Sequence, residues 1–225
     1  MLRSSLPLIS FALAGAALAA PPPVVQLEWE LRKDDATIAA IVQRLEHGGG
    51  RYEITEAWEG RGLYRLLGQA KRVSRGEVLP AGLRPLEYSD ERSGRDPEQA
   101  RFDWKAKTVT YQYKGPAATI PLPAHATDEL AGLFAFAFRA PADAVPQDVV
   151  NGRGVSDRIF RNEGREKYAS PAGTFDAVKL VRRKDNGDRA EIWLAADRGY
   201  LPVRVLVVDH KGTRVDQVLT RISAP

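Results

Sequence analysis

The sequence predicts a mainly β fold: one curved antiparallel sheet, a barrel or half-barrel, with a single covering α-helix. Three observations predict it. Apolar and polar residues alternate with a period of two through most of the chain. Turn-forming residues recur at the short spacing of consecutive hairpins, not at the longer spacing of βαβ units. One segment, residues 127–138, switches to a helical period. The chain has 225 residues, 44% hydrophobic and 28% charged, enough for one packed core and too few for two large domains.

Residues 1–19 read as a secretory leader. Arg3 supplies a positive start, residues 6–18 form an uncharged apolar run, and Ala17 and Ala19 give the small-x-small pattern of a cleavage site. The run is too short to span a bilayer, and Pro21, Pro22 and Pro23 end any helix at once. The expected organisation is therefore a leader over 1–19 and one β-rich exported domain over 20–225, with no stable transmembrane anchor. The chain contains no Cys, which excludes disulfides, thiolate metal sites and thiol nucleophiles. An exported protein without Cys fits a bacterial periplasm, its stability coming from packing alone.

Leu27, Trp29 and Leu31 alternate with Gln26, Glu28, Glu30 and Arg32, so residues 26–32 form a strand with one face in a core. Residues 37–45 return after a turn at Asp34 and Asp35. Their β-branched content favours a strand over a helix. Gly48 to Gly50 turn the chain into a partner strand over 51–58. Further strands are expected over 68–75, 83–91, 100–104, 108–113, 155–161, 175–183, 189–195, 201–209 and 215–222. The Pro-rich stretch 116–123 reads as a connector. Thr127 is the expected helix cap, and Leu130, Leu133, Phe134, Ala137 and Phe138 form one apolar helical face that Pro141 terminates.

Catalytic signatures are weak. His47, His125 and His210 are scattered, and His125 with Asp128 has helical spacing but no third ligand beside it. Neither a G-x-S-x-G elbow nor a phosphate-binding loop is present in the sequence. Glu28 with Glu30 and Glu56 with Glu59 are the notable carboxylate pairs, but Glu28 and Glu30 fall on the solvent face. No metal, cofactor or catalytic residue is expected, and enzymatic activity is not the favoured reading. The net charge is +4, but basic and acidic segments alternate along the chain, so the charge reads as a solvated surface and not as a nucleic-acid interface.

The aromatic residues are more informative. Trp29, Trp58, Trp104 and Trp193 lie on separate expected strands, and Phe134 and Phe138 lie on the helix. They fill a core or line a concave apolar site. Lys71, Arg72 and Arg75, with Arg182, Arg183 and Lys184, could then hold an anionic head group. The expected ligand-binding set is Trp29, Trp104, Phe134, Phe138, Trp193, Lys71 and Arg72, and the expected ligand is a lipid or an envelope component.

The C-terminal half carries a resemblance. Ser170-Pro171-Ala172-Gly173-Thr174-Phe175-Asp176-Ala177-Val178-Lys179 is similar to a T-P-A-G strand entry followed by an aromatic, an alanine and a basic residue. Ile192-Trp193-Leu194-Ala195-Ala196-Asp197 followed by Leu201-Pro202-Val203-Arg204 resembles a second signature. Gly76-Glu77-Val78, Gly82-Leu83-Arg84-Pro85 and Phe102-Asp103-Trp104 match its N-terminal part. Together these resemble the exported bacterial family called domain of unknown function 3108. Ser170 departs mildly, standing where the family has Thr. The resemblance implies a periplasmic or secreted protein whose curved sheet is related to those of periplasmic lipoprotein carriers. It supplies no catalytic residues to carry over. Three readings follow: a monomer that binds a lipidic ligand, a hydrolase of envelope polymers, or a module pairing a strand edge with an envelope partner.

Overall fold

The computed structural model describes residues 20–34 and 36–224, so the expected leader lies outside the described residues. The described residues form one sheet of fifteen strands. Its first arm contains β1 (Val24–Lys33), β2 (Ala36–Gly48), β3 (Arg51–Gly60), β4 (Gln69–Leu79), β5 (Gly82–Arg92), β6 (Glu98–Asp103), β7 (Thr108–Gln112) and β8 (Ala118–Pro121). Its second arm contains β9 (Ala126–Thr127), β10 (Ala144–Asn151), β11 (Gly154–Ser170), β12 (Gly173–Arg183), β13 (Arg189–Ala195), β14 (Leu201–Val208) and β15 (Arg214–Ser223). The first arm is a meander, as is β10 to β15 of the second, and β1 joins the arms by pairing antiparallel with β15. The strand order runs from β8 through β1 and β15 to β9, and every pairing is antiparallel except β9 with β10.

Period-two alternation explains the strands. Along β1, Val25, Leu27, Trp29 and Leu31 are buried while their neighbours are partly exposed. Across the seam Trp29 pairs with Leu219, and both are buried. Strand β13 is different because it is covered on both faces. Trp193 shares a cross-strand row with Lys179 and Arg204, and Tyr168 stacks on it at 5.9 Å. On the opposite face Ile192 and Leu194 join a second apolar cluster with Phe136 and Phe160.

The sheet curls until its two edges approach each other without pairing. Strands β8 and β9 are separated by only Leu122, Pro123, Ala124 and His125. Across the opening the β10–β11 turn presses against β6 and β7. A Cβ at Gly152 would stand 2.6 Å from the Gln112 carbonyl oxygen and collide with Glu98, so this approach requires glycine. Arg153 beside it donates to Glu98 at 2.7 Å.

The helix closes the interior. It covers Glu129–Phe134 and tightens into a 3-10 turn over Ala135–Ala137, shorter than the expected 127–138. This helix, α1, contacts β4 and β5 of one arm and β10 and β14 of the other. Its cap is Asp128, not Thr127, because Thr127 is held in β9 opposite Val149. Burial exceeds one stripe: Leu130, Ala131, Phe134, Phe136 and Ala137 are all buried, because sheet lies on more than one side. Strands β8, β9 and β10 are additions to the sequence reading. β8 lies within the expected connector, and Pro146 interrupts the pattern of β10.

Removing the Trp29 side chain from the seam is expected to cost about 3–5 kcal/mol, read from the urea midpoint of Trp29→Ala. Trp29→Phe should lose less than about 2 kcal/mol, because the buried indole N–H it removes has no hydrogen-bond partner. A midpoint unchanged in Trp29→Ala would contradict the role of this seam.

Candidate functional site

Polar residues occupy inward positions where the alternation calls for apolar ones. Gln43 lies two residues beyond Ile41 and two before Leu45, both fully buried. Register places Gln43 opposite Glu56, Glu56 opposite Arg72, and Arg72 opposite Asp90, so one row of polar side chains crosses β2, β3, β4 and β5. Glu56 accepts from Gln43 and from the Trp58 indole, and pairs with Arg72 at 3.2 Å. Arg72 donates onward to Asp90 at 3.1 Å and lies 5.1 Å from the centre of the Trp58 ring. Burial opposes the charge on Arg72, but Glu56 and Asp90 outweigh it and hold its pKa above the usual value.

The helix start faces this row. Asp128 is fully buried, accepting from the backbone N–H of Leu130 at 2.9 Å and Ala131 at 2.8 Å, and from the Ser74 hydroxyl at 2.6 Å. Tyr52 bonds Ser74 in turn at 3.0 Å, so a chain of hydrogen bonds ties α1 to β3 and β4. Burial pushes the Asp128 carboxyl up to about 7, although Ser74 and the two amides partly offset it. Glu129 behaves oppositely. Burial would raise its pKa, but a two-pronged contact with Arg158 at 2.8 and 2.6 Å leaves it lowered.

Between these groups and the second arm lies a cavity of about 360 Å3. Its charged lining is Glu56, Arg72, Asp128, Glu129, Arg158 and Arg182, and its apolar lining includes Leu31, Leu133, Ile192, Val205, Val207 and Val215, with Gln217 set among them. Arg72 pairs with Glu56, and Arg158 pairs with Glu129. Arg182 has no acidic partner among the described residues, and its Nε is buried without a hydrogen bond. Desolvation, followed by the neighbouring Arg158 charge, holds its pKa below the usual value. The Nε2 of Gln217 and the Oε1 of Gln43 are also buried and unpartnered. The cavity thus sets three arginines and three carboxylates, with unused hydrogen-bonding atoms on Arg182, Gln217 and Gln43, beside a wall of aliphatic side chains.

Of the seven expected ligand-binding residues, Arg72 lines this cavity and the other six lie elsewhere. Trp29 and Phe134 belong to the packed core. Trp104 donates to the Pro85 carbonyl at 2.7 Å and stacks on Phe102. Phe138 meets His47 edge-on at 5.0 Å. Trp193 lies on the face of β13 opposite Ile192, and Lys71 on the face of β4 opposite Arg72. Arg182, weighed for a head group, does reach the cavity. Glu129, Arg158 and Gln217 were not expected there. Gln43, Glu56 and Gln217 carry a readable signal, each being a polar residue at a core-parity position. His125 is exposed while Asp128 is buried, and no cluster of three metal-ligating side chains occurs among the described residues.

The model of the family described as "Protein of unknown function (DUF3108)" matches residues 27–220. The chain belongs to this family. Among solved structures, this DUF3108 chain is similar to a beta-barrel-like protein of domain of unknown function DUF1849 from Brucella abortus. The TM-score is 0.61 at 8% identity, covering 92% of this chain and 100% of that one. That likeness establishes the barrel-like fold. A protein with a YmcC-like fold from Bacteroides fragilis aligns with a TM-score of 0.42 at 14% identity, over 92% of this chain and 100% of its own. No curated protein matches the DUF3108 chain.

The raised pKa of Asp128 has a definite sign. The folded state keeps this proton up to about pH 7 while the unfolded carboxyl releases it near 3.8, so its contribution to stability declines as pH rises between those values. Asp128→Asn keeps an acceptor at the cap and cannot ionise. The parent is therefore expected to lose about 2 kcal/mol more than the variant between pH 5 and 7, measured by urea denaturation. Parallel pH profiles would refute the assignment.

Proposed function

We propose that this protein is an exported, monomeric binding protein of the bacterial periplasm whose cavity holds a small amphiphile with an anionic head. The observation that carries the reading is Arg182, whose buried Nε lacks a partner in a cavity where the other two arginines are paired and where Ile192, Val205, Val207 and Val215 supply an apolar wall. A carboxylate or phosphate would complete that guanidinium, and an alkyl chain would fill the apolar wall. The volume of about 360 Å3 is near the lower end of ligand pockets, about 300–1,000 Å3, which favours a single chain over a bulky lipid. Export is supported by the leader pattern over 1–19 and the absence of Cys. Among the described residues no helix is long and apolar enough to cross a membrane.

The other two readings are less well supported. A hydrolase needs a carboxylate that reaches substrate, but Glu56 and Glu129 are held by arginines and Asp128 is fully buried under the helix start. A strand-edge module needs an open edge. Strand β8 has four residues, ends on Pro121 and lies between Pro116 and Pro123, while β9 has two.

A dansylated fatty acid is expected to bind the purified protein with enhanced emission and to be displaced by unlabelled fatty acid or lysophosphatidic acid. The competitor that displaces at lower concentration identifies the head group. Arg182→Met should weaken binding at least tenfold, whereas Lys184→Met, at an exposed position of the following turn, should not change it. Equal affinity in Arg182→Met, or no displaceable binding, would reject the reading.

A further inference from the structure

The hairpin between β3 and β4 displays leucines that nothing in the fold covers. Residues 62–67 form a 3-10 turn in which Leu63 is 86% and Leu66 88% exposed, with Tyr64 at 39%. Elsewhere among the described residues the exposed large apolar side chains reach only 40–48%. Residues three apart eclipse each other on a 3-10 helix, so Leu63 and Leu66 project to one side.

This tip is built. Its turn is closed by the Tyr64 N–H donating to the Arg61 carbonyl at 3.0 Å and the Gly68 N–H to the Arg65 carbonyl at 3.2 Å. Gly60 permits the Tyr64 carbonyl to fold back against it, where any Cβ would collide. The Arg61 N–H anchors the start to the Ile38 carbonyl at 2.9 Å. At the other end Ser93 Oγ accepts from the Gln69 N–H at 3.0 Å, and the Ser93 N–H donates to the Gln69 carbonyl at 2.9 Å. The fold thus holds two leucines in water at an entropic and hydrophobic cost, which calls for an apolar environment outside the protein.

We propose that this hairpin is a membrane-docking tip that inserts Leu63 and Leu66 into an anionic lipid surface. Charge supports the choice of occupant. Residues 60–68 contain Arg61 and Arg65 and no acidic residue, and Arg95 lies on the adjoining β5–β6 turn. None of these three arginines forms an ion pair among the described residues, although Glu59, Glu91 and Asp96 lie nearby in the chain. Guanidinium groups flanking apolar side chains at a protrusion match the head-group and acyl layers of a bilayer in turn. A stable protein partner needs about 800 Å2 of matched surface on each side, which a six-residue tip does not offer.

Register links the tip to the cavity. The cross-strand row beginning at Gly60 runs through Ala39, Leu31, Gln217, Val205 and Ile192, four of which line the cavity. Docking by the hairpin would bring that end of the sheet toward lipid. The docking inference stands independently of the proposed ligand, since vesicle attachment and occupancy of the cavity are measured separately.

The test is co-sedimentation of purified protein with vesicles of phosphatidylglycerol and phosphatidylethanolamine, compared with phosphatidylcholine alone. The parent is expected to pellet with the anionic vesicles, and less so as salt is raised. The double variant Leu63→Ser, Leu66→Ser should lose at least tenfold in partitioning while keeping its circular dichroism melt and its dansyl fatty acid binding. Arg61→Gln, Arg65→Gln should lose most of the preference for anionic lipid and its salt dependence. Emission from Tyr64→Trp should shift to the blue on adding anionic vesicles. Parent protein that stays in the supernatant, or a serine variant that pellets like the parent, would overturn the proposal. So would a parent dimer in sedimentation velocity that the serine variant abolishes without any change in vesicle binding, which would assign the tip to a second copy of the chain.

Discussion

The pairing of β1 with β15 is the constraint on which the rest of the molecule depends. It joins residues from opposite ends of the chain, from Gln26 opposite Ser223 to Lys33 opposite Val215. Closing so long a loop costs conformational entropy before any contact forms. The compensation is apolar burial along the seam, where Leu27, Trp29 and Leu219 are all but excluded from water. With the seam made, two meanders become one sheet. Leu31 from β1 and Gln217 from β15 then face one cavity, although the chain separates them almost completely.

A curled sheet whose edges do not pair leaves an interior that must be filled, and α1 fills it. The helix touches both arms, and its N-terminus is fastened through Asp128 and Ser74 to the first. The row Gln43, Glu56, Arg72 and Asp90 then sits under cover beside it. Burying such groups is costly unless each finds its partner, and most of these do, through interlocking ion pairs and hydrogen bonds. Gln43, Arg182 and Gln217 each retain an unpartnered buried atom, and all three line the cavity.

Cavity and hairpin belong to one arrangement. The rigid ladder that supports the cavity wall continues through β2 to Gly60, where the exposed leucines begin. The two proposals invoke the same chemistry: the cavity would enclose a hydrocarbon chain, and the tip would enter a layer of them. Both need the sheet to be stiff, because a side chain displaced along its strand by one residue would turn to the opposite face.

Sidedness was legible in the sequence because it is a local property. Alternation from Leu27 onward, the turn at Gly48 to Gly50, and the apolar face of 127–138 each follow from residues close together in the chain. The family resemblance was equally legible, since its motifs are contiguous. Strands β8 to β10 were not, because short or proline-bearing strands acquire their identity from the neighbours they pair with. Nor was most of the site. Arg72 and Arg182 could be named as basic residues on strands, but Lys71 and Arg183 looked the same in composition. The aromatic residues are conspicuous because they are large, yet Trp193 lies on the face of β13 opposite Ile192, and Trp104 packs on Phe102 away from the cavity. Sequence alone determined which residues of each strand point the same way. Only the tertiary structure decided which strands face each other across the interior, because that depends on the β1–β15 closure and the curl of the sheet, and neither is encoded within any single stretch of chain.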